Sequence, residues 1–185
     1  DDWYEHNTCE LAYNQILQNK NDIVIFNYNE FVDETGKYNV NCRWRITPFE
    51  KVLQNPNIKL KNLQTNFIQN SFIWCEIYTR NLLQKNNIYF PEDISLCEDS
   101  PFFVKALVYS DSISVIDKPL YNHRVRKTST SFKFKNLWEE AFISKMKCFD
   151  IIENSERNKF INPCIVFSIN TLFYWFNCMQ GTPLR

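Results

Sequence analysis

Asp22-Ile23-Val24-Ile25-Phe26-Asn27-Tyr28 is a short run of β-branched and aromatic residues. It shows no polar alternation before Asn27, which predicts a strand covered on both faces; one solvated face would impose a period of two. The residues before it follow another period. Leu11, Ala12, Gln15, Ile16 and Gln18 recur at helical spacing behind Thr8, a residue type that caps helix N-termini, and Lys20-Asn21 closes the segment. A helix feeding a doubly covered strand is the pattern of an α/β layered fold.

Downstream, Phe31 to Arg45 alternates loosely and turns at Glu34-Thr35-Gly36-Lys37, which predicts a hairpin or an excursion. Pro48 opens a short helix through Leu53, and a polar linker runs over residues 54–61. Further helices are predicted from Leu63 or Thr65 to Trp74 and from Thr79 to Lys85. Phe102, Phe103, Ala106 and Leu107 mark a helix from Glu98 to Tyr109, with Pro101 in its first turn, where a missing N–H costs little. Ser112 to Ile116 alternates like a strand that ends near Lys118-Pro119-Leu120-Tyr121. A polar basic segment then runs to Ser131, and two long helices, Leu137 to Asn154 and about Lys159 to Met179, close the chain. No internal repeat is present. The expected division is residues 1–131 as an α/β domain and residues 132–185 as a helical extension.

Composition removes several function classes. The formal net charge is zero, which argues against a broad electrostatic grip on nucleic acid or anionic lipid. The two glycines, Gly36 and Gly181, leave no material for a G-x-G-x-x-G or Walker-type phosphate loop. The seven cysteines form no C-x-x-C, and only His6 and His123 could join them at zinc, so reduced thiols in a cytosolic protein are expected. No charged-then-apolar leader is legible. The longest apolar stretch, Ile161 to Met179, is interrupted by Asn162, Pro163, Ser168, Asn170 and Asn177. A membrane span wants roughly 20 mostly apolar residues, so a core or interfacial helix fits better.

Three clusters carry candidate chemistry. Asp1-Asp2 offers hard carboxylate oxygens suited to Mg²⁺ or Mn²⁺, although adjacent Asp residues also serve as solvated turns or helix caps. Glu98-Asp99 opens a helix, where acids are favoured by about 0.3–1 kcal/mol each, and a carboxylate there could also act as a general base. His123, Arg124, Arg126 and Lys127 form a local positive cluster that either is solvated or neutralises a diphosphate leaving group. Arg124 is preferred for its bidentate fork. The Lys127-Thr128-Ser129-Thr130-Ser131 run has the composition of a mobile lid. Trp74 offers an aromatic face that suits either a sugar wall or the core.

Taken in order, these segments resemble bacterial family 2 glycosyltransferases of the GT-A fold. Asp1-Asp2-Trp3-Tyr4-Glu5, a helix and Asp22-Ile23-Val24-Ile25 resemble the middle of that fold, where a D-x-D motif ends a strand; Asp1 stands at its second Asp. Phe72 to Leu83 resembles a Trp-containing segment in which Glu76 replaces a frequent Lys. Tyr89-Phe90-Pro91 followed by Glu98-Asp99-Ser100-Pro101 resembles the family's F-P and E-D block. Pro119 to Ser129 resembles its basic closing segment, with His123 in place of a more frequent Tyr.

The resemblance covers roughly residues 1–131. It implies the C-terminal part of a GT-A, Rossmann-like fold with a mixed sheet, followed by the helical extension. The nucleotide-binding half is expected upstream of Asp1, on a longer polypeptide or on another chain. The implied reaction is inverting, metal-dependent transfer from a nucleotide-diphosphate sugar to a hydroxyl acceptor, in polysaccharide or lipopolysaccharide assembly. Asp99 is implied as the base with Glu98 second, and Asp1 and Asp2 as ligands of Mn²⁺ or Mg²⁺. Arg124, His123 and Arg126 are implied near the diphosphate, and Trp74 near a saccharide or lipid-linked acceptor. A homodimer through the C-terminal helices, peripheral attachment at the inner face of a membrane and a cytoplasmic setting are further expectations. The rival class is a noncatalytic interaction module that retains part of this fold. A metal-dependent phosphotransferase would need the phosphate loop that the glycine shortage argues against.

Overall fold

Strand β2, Ile23–Val32, organises the sheet. A computed structural model of the chain describes residues 1–39, 67–68, 72–126 and 137–179, without the side chains of 137, 138, 175, 178 and 179. Ile23, Val24, Ile25 and Phe26 are all buried, so both faces of the strand are covered, as the apolar run predicts. The strand extends four residues past Tyr28, and burial lessens over that extension.

Along one edge β2 pairs in parallel with β5, Ile113–Val125. Along the other edge it pairs antiparallel with β4, Glu76–Tyr78, near its start and with β3, Lys37–Asn39, near its end. The two-residue β1, Trp3–Tyr4, adds antiparallel to the outer edge of β5. The sheet is therefore mixed, in the order β1-β5-β2-β3 with β4 beside β2. Of the hairpin and the excursion, the hairpin is present: β2 and β3 join through residues 33–36, where Gly36 has φ +62.

β5 is longer than its sequence suggests. Its pairing with β2 is irregular on both sides of Asn27, which stands opposite Pro119. Proline has no N–H for the ladder and is tolerated at such irregularities. Asn27 Nδ2 donates to Asp117 Oδ1 across the same region at 3.0 Å. Pairing then resumes, so Asn122 to Val125 lies in the strand; the expectation that the strand ends at Pro119-Leu120-Tyr121 is corrected. The proposed lid at residues 127–131, the helix at 48–53 and the linker at 54–61 lie outside the described residues.

Helix α1, Thr8–Asn19, matches its expected span, but Thr8 is not its cap. Asn7 holds the cap position, and the Thr8 hydroxyl donates to the Leu120 carbonyl of β5 at 2.8 Å. The predicted helix ending at Trp74 is replaced at its end: Ile73–Cys75 form a 3-10 turn that leads directly into β4. Thr79 instead accepts the Leu82 amide and so opens α2, Arg80–Lys85. Phe26, Tyr28, Cys75, Leu120 and Tyr121 form a buried cluster, against which Leu11, Phe72, Trp74, Ile77 and Ile116 pack.

The residues divide into two compact units. The sheet unit comprises, among described residues, 1–39, 72–82 and 110–126. The helical unit comprises 67–68, 83–109 and 137–179. In the helical unit, α3 (Asp99–Tyr109) packs on α4 (Leu137–Asn154), and α4 packs on α5 (Ile161–Met179). Phe102, Phe103, Val104, Ala106, Leu107 and Val108 bury nearly every face of α3. Ala141, Ser144, Lys145, Cys148 and Ile152 form the buried stripe of α4 at three-to-four spacing. Cys9, Cys75, Cys97, Cys148 and Cys164 are all thiols rather than disulfides. Among the described residues, no helix is long and apolar enough to cross a membrane.

Candidate active site

In the sheet unit, the acidic N-terminal segment is tied to β5 by several bonds. Asp2 accepts the Tyr121 hydroxyl on Oδ2 at 2.6 Å and the Arg124 backbone N–H on Oδ1 at 2.7 Å. Asp1 forms an ion pair with Arg126. Glu5 Oε1 accepts from Asn122 Nδ2 at 2.7 Å, and Asn122 Oδ1 accepts from Asn29 Nδ2 at 3.3 Å. Burial, and after it the bond to Asp2, push the Tyr121 phenol far above its ordinary range, so it stays a proton donor.

The basic residues are likewise engaged. The Arg124 guanidinium lies 5.5 Å from the Trp3 ring centre and 5.8 Å from that of Phe31, and its Nε is 3.7 Å from Asp33 Oδ1. Cation–π placement of this kind holds a guanidinium while leaving part of it in solvent. His123 stacks on Trp74 with ring centres 5.2 Å apart. Trp74 also stacks on Tyr121 at 4.7 Å and meets Tyr28 edge-on at 4.7 Å. The structure thus brings Asp1, Asp2, Trp74, His123, Arg124 and Arg126 into one unit, linked through β5. Tyr121 is the member that sequence reasoning left without a role.

Do these residues suit a divalent cation? Among the described residues, no group of three or more His, Cys, Asp or Glu side chains could enclose one. Mg²⁺ is commonly held by one or two carboxylates, with substrate phosphates and water completing its shell. Asp1 and Asp2 meet that smaller requirement. Asp1 is exposed, and its ionic partner Arg126 is a surface side chain that a cation could replace. Asp2 keeps lone pairs beyond the two bonds that it accepts.

In the helical unit, Glu98 and Asp99 lie where a loop becomes α3. Cys97 just before them has φ 58, a left-handed backbone that costs a non-glycine residue roughly 1–2 kcal/mol. Its carbonyl accepts the Ser100 amide at 3.2 Å and the Ser144 hydroxyl at 2.8 Å. Asp99 is partly exposed, and Ser100 Oγ lies 3.4 Å from its Oδ1. Burial, followed by the neighbouring Glu98 charge, raises the Asp99 carboxyl to about 6. Lys145 and the Ser100 hydrogen bonds oppose that rise. A carboxyl so placed is ionised at neutral pH yet basic enough to take a proton. Lys145 escaped the sequence reading; the legible signal was a lysine within the apolar stripe of α4.

No protein-family model matches the chain. It is 28% identical over 151 residues to the glycosyltransferase GlyA of Streptococcus pneumoniae, a match covering 79% of this chain and 21% of that protein. It is 33% identical over 94 residues to the uncharacterized glycosyltransferase EpsJ of Bacillus subtilis, covering 49% of this chain and 27% of that one. The chain therefore matches about a quarter or less of the length of these curated relatives. Among solved structures it matches that of Staphylococcus aureus TarS 1-349 in complex with UDP-GlcNAc. The TM-score is 0.61 at 22% identity, covering 95% of this chain and 49% of that one. The relatives that the chain resembles in sequence are thus bacterial glycosyltransferases, and its mixed α/β fold matches that of TarS.

Proposed function

We propose that the chain is the acceptor-side part of an inverting, family 2 glycosyltransferase of the GT-A fold. The observation that carries this reading is Asp99: a partly exposed carboxyl, fixed at a helix start, raised to about 6. The glycosyltransferase relatives supply the reaction class. TarS crystal structures in complex with UDP-GlcNAc and with UDP support a nucleotide-diphosphate sugar as donor.

In this reading the acceptor hydroxyl attacks the anomeric carbon while the bond to the diphosphate breaks on the opposite face. Asp99 takes the hydroxyl proton, a contribution of about 10²–10⁴ in rate. Burial, and after it the Glu98 charge, keep the Asp99 carboxyl basic. Arg124, Arg126 and His123 provide positive and hydrogen-bonding groups toward the diphosphate. A Mg²⁺ or Mn²⁺ ion on Asp1 and Asp2 would neutralise diphosphate charge. Tyr121 and the Arg124 amide hold Asp2 in place for that role. Trp74 is assigned to the acceptor side, and the acceptor to a saccharide or lipid-linked saccharide of the cell surface.

An interaction-module reading is favoured by one observation. Ile165, Val166, Ile169, Phe173 and Phe176 of α5 are exposed, an apolar surface suited to a second copy or a lipid surface. The two readings separate on nucleotide binding. The polypeptide with its nucleotide-binding half is expected to bind UDP in a Mn²⁺-dependent manner by calorimetry. Asp99→Asn is expected to lower transfer at least a hundredfold without changing UDP affinity. Unchanged transfer in Asp99→Asn rules out the base assignment, and absence of UDP binding by the same polypeptide supports the module.

A further inference from the structure

Helix α4 reaches the Glu98-Asp99 junction with four polar side chains. Glu140 accepts the Ser95 amide at 3.0 Å and its hydroxyl at 3.1 Å. Ser144 donates to the Cys97 carbonyl, and Lys147 Nζ donates to Asp93 Oδ2 at 2.7 Å. Lys145 Nζ donates to Ser100 Oγ at 2.9 Å. The whole approach to α3, from Asp93 to Ser100, is thus held from this one helix.

Lys145 is the unusual member. It is only 2% exposed, and its ammonium lies 3.7 Å from the centre of the Phe167 ring of α5. Burying an ammonium is costly, and burial draws this one below its ordinary value. The titratable groups facing it are Asp99 of α3, Cys97 of the preceding loop, Cys148 of α4 and Cys164 of α5. Burial pushes the Cys148 thiol up to about 12 and raises that of Cys164, so both are neutral at neutral pH. Asp99 is the carboxylate among these groups, with Glu98 as its own charged neighbour. A methionine of similar length would fill the same volume without the desolvation cost. The hydrogen-bond order is also fixed. Ser100 Oγ accepts from Lys145, which leaves its proton to be donated to Asp99 Oδ1.

We infer that Lys145 is a positioning residue for Asp99: through the Ser100 hydroxyl it sets the orientation of the carboxylate and supplies the positive charge that favours its ionised form. Its consequence for transfer rests on Asp99 being the base; its hold on the carboxylate is a property of the chain by itself. The helical extension then belongs to the catalytic machinery, acting through Asp99 rather than touching substrate.

Carboxyl ¹³C NMR of the chain labelled at Asp, with Asp99→Asn to assign the signal, reads this directly. The unsubstituted chain is expected to show an Asp99 midpoint of about 6. Lys145→Met removes the favourable charge, so the midpoint is expected to rise by about one unit. Ser100→Ala keeps the charge but breaks the bridge, and a smaller rise is expected. Lys145→Arg, which restores charge and donor, is expected to hold the midpoint near that of the unsubstituted chain. A packing role alone would change stability without moving the Asp99 midpoint, so unmoved midpoints in Lys145→Met and Ser100→Ala overturn the inference. If Lys145→Met fails to fold, the Ser100→Ala midpoint decides by itself: a rise supports the positioning role and an unmoved midpoint overturns it. In the polypeptide that includes the nucleotide-binding half, the acid limb of the kcat profile is expected to follow the NMR midpoint. A midpoint that moves while that limb stays fixed keeps the positioning role and removes Asp99 as the base.

Discussion

Tyr121 and Asp2 share a 2.6 Å hydrogen bond across 119 positions of sequence, the hydroxyl donating to Oδ2. The bond ties the segment before β1 to the strand that β1 joins, and it holds one face of a carboxylate whose other oxygen takes the Arg124 amide. Local strand pairing is only two residues long here, so side-chain bonds fix the segment's position.

Tyr121→Phe keeps the stacking on Trp74 and removes only that hydroxyl. Hydrogen bonds to charged groups contribute about 1.5–3 kcal/mol, and this one is partly buried. A loss of about 1–2 kcal/mol in urea unfolding is expected. Asp2→Asn, which can still accept from the Arg124 amide, is expected to cost less. The double variant should cost clearly less than the sum of the two, because both remove one bond. Strict additivity would show that the two residues do not act together.

Gly36 gives a second, purely conformational prediction. Its φ of +62 lies in the left-handed region, and an added Cβ would meet nothing within 4 Å. Gly36→Ala is therefore expected to cost about 1 kcal/mol through backbone strain alone. Gly36→Asn should cost less, since Asn tolerates that region better. Thermal denaturation of both variants measures the difference; equal losses would point to something other than φ.

How far the sequence announces this fold depends on the range of the interaction. The run Ile23 to Phe26 is legible because burial on both faces removes alternation, and its neighbour helices are legible from three-to-four spacing. The second half of β5 is not: Asp117-Lys118-Pro119 looks like a strand end, and only the pairing irregularity opposite Asn27 shows that the ladder resumes. The expected helix through Trp74 ends instead in a 3-10 turn, and Glu76 just beyond it is buried and paired across to Ile25. The same divide runs through the candidate site. Asp1-Asp2, Glu98-Asp99 and the basic cluster are visible as short charged groups. The link from Tyr121 to Asp2 and the reach of Lys145 to Ser100 join residues far apart in sequence, and no local pattern encodes them.

Trp74 separates packing from acceptor binding. Its ring contacts Tyr28, Phe72, Tyr121 and His123. Trp74→Ala leaves those four rings without their common neighbour and is expected to cost about 2–4 kcal/mol in urea unfolding. Trp74→Phe retains much of the packing. With it, acceptor KM is expected to rise several-fold while kcat holds, because uniform binding is what a sugar wall supplies. An unchanged KM leaves Trp74 as a core residue.

Asp99 carries the last prediction, in which stability and activity move in opposite directions. The folded chain holds its carboxyl at about 6, above the ordinary carboxylate value, through burial and then the Glu98 charge. The folded state therefore binds this proton more tightly than the unfolded chain does. Its stabilising effect is complete below about pH 4 and is lost as pH rises through about 6. Above that, keeping the carboxylate charged costs on the order of 3 kcal/mol. Asp99→Asn mimics the protonated form, so at pH 7 it is expected to unfold at higher temperature than the parent chain. At pH 4 the two should unfold together. Thermal unfolding at both pH values measures the contrast. A variant that is less stable at pH 7 would mean that the carboxylate is better compensated than its surroundings indicate. A variant that is more stable yet inactive in transfer would mark Asp99 as a residue kept for chemistry at a cost to the fold.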